Sequence, residues 1–134
     1  MISFPLKIVT ADGLVYDGPA EEVIVRTVTG DMAVLARHMN CVAPLGMGRA
    51  TIVANGERRH AACIGGLLSV QNGEVNLVPT TFEWADAIDA DRAEASRQRA
   101  EKVLNDESAS EAQLKLAKAR LHRALVRSSV ASNK

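Results

Sequence analysis

Three groups of residues in this chain have types and spacings that can carry chemistry. The first is a repeated pair, His38-x-x-Cys41 and His60-x-x-Cys63, built from the imidazole and thiol types that bind zinc. The second is Gly46-x-Gly48 ahead of Arg49, where glycines would let backbone N–H groups approach a phosphate. The third is Ile88-Asp89-x-x-Arg92-Ala93 with Arg99 beyond it. On a helix, Asp89, Arg92 and Arg99 fall on one side, so a carboxylate and two guanidiniums face the same way. That arrangement either holds an anionic ligand by charge-assisted bonds or forms an ion pair on a solvated face.

Each group depends on the element that carries it. The stretch from Ala61 to Val70 reads as β, and residues three apart on a strand point to opposite faces, so a zinc site would need a distortion in both pairs. A Cys/His nucleophilic pair would also need a third, base-orienting residue, and none is marked. Gly46-x-Gly48 lacks the third glycine and leads into a strand, so no phosphate-loop fingerprint applies. The third group lies where the chain changes character. Before Glu83-Trp84-Ala85-Asp86, apolar residues alternate with polar ones between glycine turns; afterwards there is no Gly or Pro, and Ala, Leu, Lys, Arg, Glu and Gln recur at helical spacing.

The alternating part predicts strands at Leu6–Thr10, Leu14–Tyr16 (stopped by Asp17-Gly18-Pro19), Glu22–Thr27, Met32–Leu35, Cys41–Ala43, Arg49–Ala54, Leu67–Gln71 and Glu74–Val78. Asn55-Gly56 and Asn72-Gly73 read as hairpin turns, since both positions need φ > 0. Gly65-Gly66 reads as a kink or a close backbone approach. In the tail, a first helix starts near Asp86 or Asp89, with Ala93, Ala100 and Leu104 as its apolar stripe. Asn105-Asp106-Glu107 breaks it, and Ser108 with Glu111 fits a capping box for a second helix carrying Leu114, Ala117, Leu121, Ala124 and Leu125. The predicted fold class is α+β by segregation, an N-terminal all-β sandwich over residues 1–84 followed by an antiparallel α-helical hairpin over 85–134. Alanine stripes bury little area, so the hairpin is expected to pack weakly and to come off.

Composition excludes several classes. The 134 residues carry 16 basic and 16 acidic groups, without the basic excess of a dedicated nucleic-acid binder. Residues 1–84 hold 6 basic and 8 acidic groups and residues 85–134 hold 10 and 8. No apolar run approaches the roughly 18 residues that span a bilayer. There is no secretory leader pattern at the N-terminus. Two cysteines make no disulfide framework and read as free thiols in a reducing cytoplasm.

The order and spacing of several short pieces resemble the epsilon subunit of the F-type rotary ATP synthase, called delta in mitochondria. They are Leu6-Lys7-Ile8-Val9-Thr10 with Asp12-Gly13, Tyr16 with Gly18, Val23 with Arg26-Thr27, Gly30-Asp31 with His38, Pro44-Leu45 with Gly48, Gly65-Gly66, and Ile88-Asp89-x-x-Arg92-Ala93. One departure stands out. The family usually has Gly-Ile-Leu-Pro-Gly before this histidine and Ala-Pro after it, where this chain has Ala33-Val34-Leu35-Ala36-Arg37 and Met39-Asn40.

The resemblance implies a non-catalytic central-stalk subunit, peripheral on the cytoplasmic face of the plasma membrane, without membrane insertion or nucleic acid. Its sandwich would grip a gamma-type shaft subunit and sit on the membrane rotor ring, with Asp31 and His38 at the family's contact positions. Its hairpin would either fold against the sandwich or extend to the catalytic alpha/beta head and inhibit ATP hydrolysis, the basic run Lys115, Lys118, Arg120, Arg123 and Arg127 meeting acidic segments there. No cofactor is required, but ATP is implied as a regulatory ligand at Ile88, Asp89, Arg92 and Ala93. Arg92 and Arg99 would hold phosphate or ribose oxygens, and Asp89 would accept from the base or orient Arg92. Glu83 would lie close by, and Arg123 or Arg127 would arrive from the second helix. Trp84 is expected to report binding by fluorescence. Two other classes stay open on the residues alone: a ligand-binding β-sandwich with a helical dimerisation element, and a small metal-dependent enzyme using the His/Cys pairs.

Overall fold

The structure, a computed structural model, describes residues 2–132. The outermost residues of the two expected spans, 1 and 133–134, lie outside the described residues. Eight strands come first: β1 (Phe4–Thr10), β2 (Gly13–Ala20), β3 (Glu22–Thr27), β4 (Gly30–Leu35), β5 (Cys41–Pro44), β6 (Met47–Ala54), β7 (Glu57–Gln71) and β8 (Glu74–Trp84). A 3₁₀ turn at Ala85–Ala87 leads to α1 (Ala90–Leu104) and α2 (Glu111–Ser132). The strands hydrogen-bond in the order β2-β1-β8-β7-β6-β3-β4, with β5 also paired to β7. All these pairs are antiparallel except β1 with β8, where Leu6 lies opposite Val75 and Ile8 opposite Leu77.

Alternation places the core. Val23 and Val25 point inward from β3, Leu6 and Ile8 from β1, and Ile52, Leu68 and Leu77 from β6 to β8, all of them buried. The long β7–β8 pair joins both layers of the sandwich. Ala61 and Cys63 face the core in the first half of β7, but Leu68 and Val70 do so in the second half, so the inward face changes parity between them. Gly65 and Gly66 sit at that change with φ of +68° and +99°. A Cβ on Gly66 would come within 2.1 Å of the Val78 carbonyl oxygen, so only glycine lets the backbones approach there. The two Asn-Gly turns have φ of 53° and 74° at Asn55-Gly56 and 51° and 81° at Asn72-Gly73, and they set the β6–β7 and β7–β8 hairpins.

Several boundaries differ from expectation. β2 runs through Asp17-Gly18-Pro19 to Ala20 instead of stopping at Tyr16. It is the outermost strand, where a proline costs no ladder bond, and it pairs Gly18 with Leu6 and Pro19 with Pro5. β8 continues past Val78 to Trp84 because β7 offers partners along its whole length. The second helix is capped by Ser110 with Gln113, not Ser108 with Glu111. The Ser110 hydroxyl accepts from the Gln113 N–H at 3.1 Å, and the Gln113 side chain accepts from the Ser110 N–H at 2.8 Å. Ser108 is already engaged, its N–H and hydroxyl both donating to Asp106 at 2.9 and 2.7 Å. On α2, Ala117 and Ala124 are buried, whereas Leu125 is 47% exposed and does not belong to the apolar seam. Arg37 takes a φ of 67°, the left-handed conformation, at the point where the family's glycine would stand.

The hairpin folds back onto the outer face of β6 and β7. Ala62, Ala85, Ile88, Val130 and Ala131 form a second small apolar cluster there, with Val126 at its margin.

Candidate functional site

β8 ends in two residues with opposite duties. On a strand, neighbours point to opposite faces. Glu83 points toward the hairpin, where its carboxylate accepts from Arg127 Nε at 2.6 Å with both side chains about two-thirds buried. Trp84 points the other way. Its ring lies edge-on to Phe82 at 5.0 Å and beneath the Arg59 guanidinium at 3.7 Å. Trp84 therefore lines a different surface from Glu83 and is not among the residues lining the candidate ligand pocket.

That pocket lies where the sandwich, the 3₁₀ turn and both helices meet. Glu83, Ala87, Ile88, Asp89, Arg92, Ala93, Ser96, Arg99 and Arg127 surround a cavity of about 380 Å³. Its charge comes from three guanidiniums against two carboxylates. Asp89 is the N-cap of α1, its Oδ1 accepting from the Arg92 backbone N–H at 3.0 Å. This bond starts the helix at Ala90 and directs Arg92, Ser96 and Arg99 down one face into the pocket. Ile88 and Ala93 are buried and form the apolar floor. The arrangement can hold an anion with several oxygens through charge-assisted hydrogen bonds.

Of the candidate residues named from the sequence, Glu83, Ile88, Asp89, Arg92, Ala93, Arg99 and Arg127 come together here, across 44 residues of chain in the Glu83–Arg127 case. Arg123 is not among the lining residues. Ser96 and Ala87 also line the pocket, beyond the residues that the sequence motif marks. The legible signal for Ser96 is its place on the Arg92–Arg99 face of α1.

Asp31 and His38 are not brought together. Asp31 sits at the start of β4, paired to Arg26 at 2.8 Å on the surface, while His38 follows its far end, its N–H bonded to the Leu35 carbonyl. The His38 loop is tied instead to the β7–β8 turn, with the Asn72 N–H donating to the Asn40 side chain at 2.8 Å.

The His/Cys pairs divide as strand geometry dictates. Cys63 faces the sandwich core, and burial pushes its thiol up to about 12. His60 lies on the other face, its Nδ1 3.0 Å from the Thr51 hydroxyl. Burial first, then Arg49 and Arg58, hold its pKa below the usual histidine value. His38 Nδ1 and the Cys41 sulfur are 3.9 Å apart, with the ring also 2.8 Å from the Met39 carbonyl. Among the described residues, no three His, Cys, Asp or Glu side chains group to hold a metal ion.

Fold and pocket together define a class: a β-sandwich carrying a docked helical hairpin with a basic cleft at their joint. Comparison with known proteins places the chain within that class. Residues 3–85 match the family model described as ATP synthase, Delta/Epsilon chain, beta-sandwich domain, and residues 86–132 match the model for the long alpha-helix domain of the same chain. The ATP synthase epsilon chain of Shouchella clausii is 34% identical over 134 residues, covering 100% of this chain and 98% of its own. That of Bacillus velezensis is 38% identical over 133 residues, covering 99% and 100%. Among solved structures, a chain from the mitochondrial ATP synthase of Euglena gracilis superposes with a TM-score of 0.84 at 21% identity, covering 98% of this chain and 82% of that one. A chain of the Tetrahymena thermophila mitochondrial ATP synthase gives 0.66 at 11% identity, covering 95% of both. The protein belongs to the ATP synthase delta/epsilon chain family.

Proposed function

We propose that the protein is a non-catalytic central-stalk subunit of an F-type ATP synthase on the cytoplasmic face of the plasma membrane, with a detachable hairpin whose docked state is favoured by ATP. Family membership supports the central-stalk role, as do the assemblies of the fold neighbours, OSCP/F1/c-ring in one case and central stalk/c-ring in the other. None of the described helices is long and apolar enough to cross a membrane. The sandwich offers an apolar strip for the shaft subunit. Leu67 and Val78, paired across β7 and β8, are each 49% exposed, and Val42 on β5 is 67% exposed. Asp31, exposed at the start of β4, and His38, half-buried beyond its far end, would meet the polar loops of the rotor ring.

One observation carries the regulatory part: the tail rests on an alanine-rich seat, and the arginine pocket bridges that seat's two sides. A nucleotide bound between Arg92 and Arg99 on α1 and Arg127 on α2 would interact with the docked state only, and would shift the equilibrium toward it by that difference. Undocked, α2 would carry Lys115, Lys118, Arg120, Arg123 and Arg127 to the catalytic head and slow hydrolysis.

The test is ATP hydrolysis by the reconstituted complex with and without residues 86–134, together with calorimetry of ATP on the full chain. Removal of the tail is expected to raise hydrolysis or leave it unchanged; a large loss of assembly would overturn the regulatory role. ATP is expected to bind, and Arg92→Ala to weaken it roughly ten- to a hundredfold, since a bond to a charged group contributes about 1.5–3 kcal/mol. Absence of heat at millimolar ATP would remove the nucleotide from the mechanism.

A further inference from the structure

The arginines of the pocket are long, and Arg92 and Arg99 are exposed, so their guanidiniums can follow a ligand. Ser96 is different. It lies four residues after Arg92 and three before Arg99, on the same face of α1. It is half-buried, lines the pocket, and also lines a second groove of about 550 Å³ that continues between the two helices past Arg99. A serine inside a helix often bonds back to the carbonyl four residues earlier. The Ser96 hydroxyl makes no hydrogen bond among the described residues. Its side chain turns about a single carbon–carbon bond, so the helix backbone confines where its donor stands.

We propose that Ser96 is a positioning residue for the ligand, its hydroxyl donating to a phosphate oxygen between those held by Arg92 and Arg99. The inference rests on the nucleotide reading of this pocket. At 1.5 Å per residue, α1 places Ser96 about 6 Å beyond Arg92 and about 4.5 Å short of Arg99. A ligand engaging all three levels carries a chain of phosphates, and Ser96 holds the middle of it. A serine also gives this contact without adding charge, so it sharpens the position of the chain without deepening the basic field.

The experiment is ATP calorimetry on the full chain with Ser96→Ala and Ser96→Thr, beside thermal unfolding of each without ligand. Ser96→Ala is expected to bind ATP about tenfold more weakly, the loss of one hydrogen bond to a charged group. Its ligand-free unfolding should be unchanged or slightly raised, because alanine is the better helix former. Ser96→Thr, which keeps the hydroxyl, should restore affinity close to wild type. Unchanged ATP affinity in Ser96→Ala would overturn the inference while leaving the nucleotide site standing. Equal weakening in both variants would overturn it as well, because the hydroxyl would then not be the cause. If the wild-type chain takes up no ATP, the nucleotide reading falls and this inference with it.

Discussion

The molecule holds two apolar clusters of very different strength. The sandwich core is filled by Leu6, Ile8, Val23, Val25, Val34, Ile52, Leu68 and Leu77, whose exposures are 0–1%. They come from six strands tied by continuous ladders. The hairpin's seat on β6 and β7 is three alanines, Ile88 and Val130. A buried isoleucine or valine contributes about 1.5–3 kcal/mol and an alanine far less, so the seat supports only a few kcal/mol where the core supports many. The second helix also carries a defect of its own: the Ser128 hydroxyl is buried with no hydrogen-bond partner among the described residues. A buried hydroxyl left unpaired costs about 1–3 kcal/mol. The comparison teaches that the tail's seat buries far less apolar side chain than the core does.

The largest expected effect tests the strong side. Leu77→Ala, which leaves a cavity between β1 and β7, should cost about 2–5 kcal/mol in urea unfolding and loosen sandwich and tail together. Ile88→Ala tests the weak side, with an expected cost of ~2 kcal/mol. That loss should appear as faster proteolysis near residues 85–89 and faster amide exchange in α2, while the sandwich's own unfolding midpoint stays in place. A common midpoint shift in both variants would erase the distinction between the clusters.

Ser128→Ala runs the other way. Removing the unpartnered hydroxyl should stabilise the folded chain by ~1 kcal/mol, read as a raised urea unfolding midpoint. Glu83→Gln weakens the only ion pair that joins β8 to α2 among the described residues. Because both side chains keep partial solvent contact, the loss should be about 0.5–1 kcal/mol and should shrink in high salt.

The smallest effect is a pH slope at His60, beside the seat. Its folded pKa lies below the usual 6.5, so the unfolded chain takes the proton more readily. This stability contribution is whole above about pH 6.5 and is lost as pH falls from there toward the folded value. His60→Gln should flatten that slope, seen by comparing urea midpoints above and below pH 6.5.

Local chemistry makes much of the molecule legible in the sequence alone. Val23 and Val25 alternate because a strand has a period of two. Asn55-Gly56 and Asn72-Gly73 are turns because few other residues accept positive φ twice. Asp89 starts a helix because its carboxylate reaches the N–H three residues on. These outcomes are decided within a few residues, so neighbours along the chain suffice. The Ile88–Ala93 motif and the matched glycines likewise point to the family through order and spacing.

Other features are decided only by residues far apart in the chain. β2 keeps its proline because it is the outermost strand, which depends on where β1 and β8 lie. Trp84 and Glu83, adjacent in sequence, serve opposite faces because β8 pairs along its full length and then meets α2 on one side only. Arg127 enters the pocket and Arg123 does not because α2 docks with a particular rotation on β6 and β7. That rotation is set by where Val130 and Ala131 find Ala62 and Ile88, and periodicity alone holds no record of it.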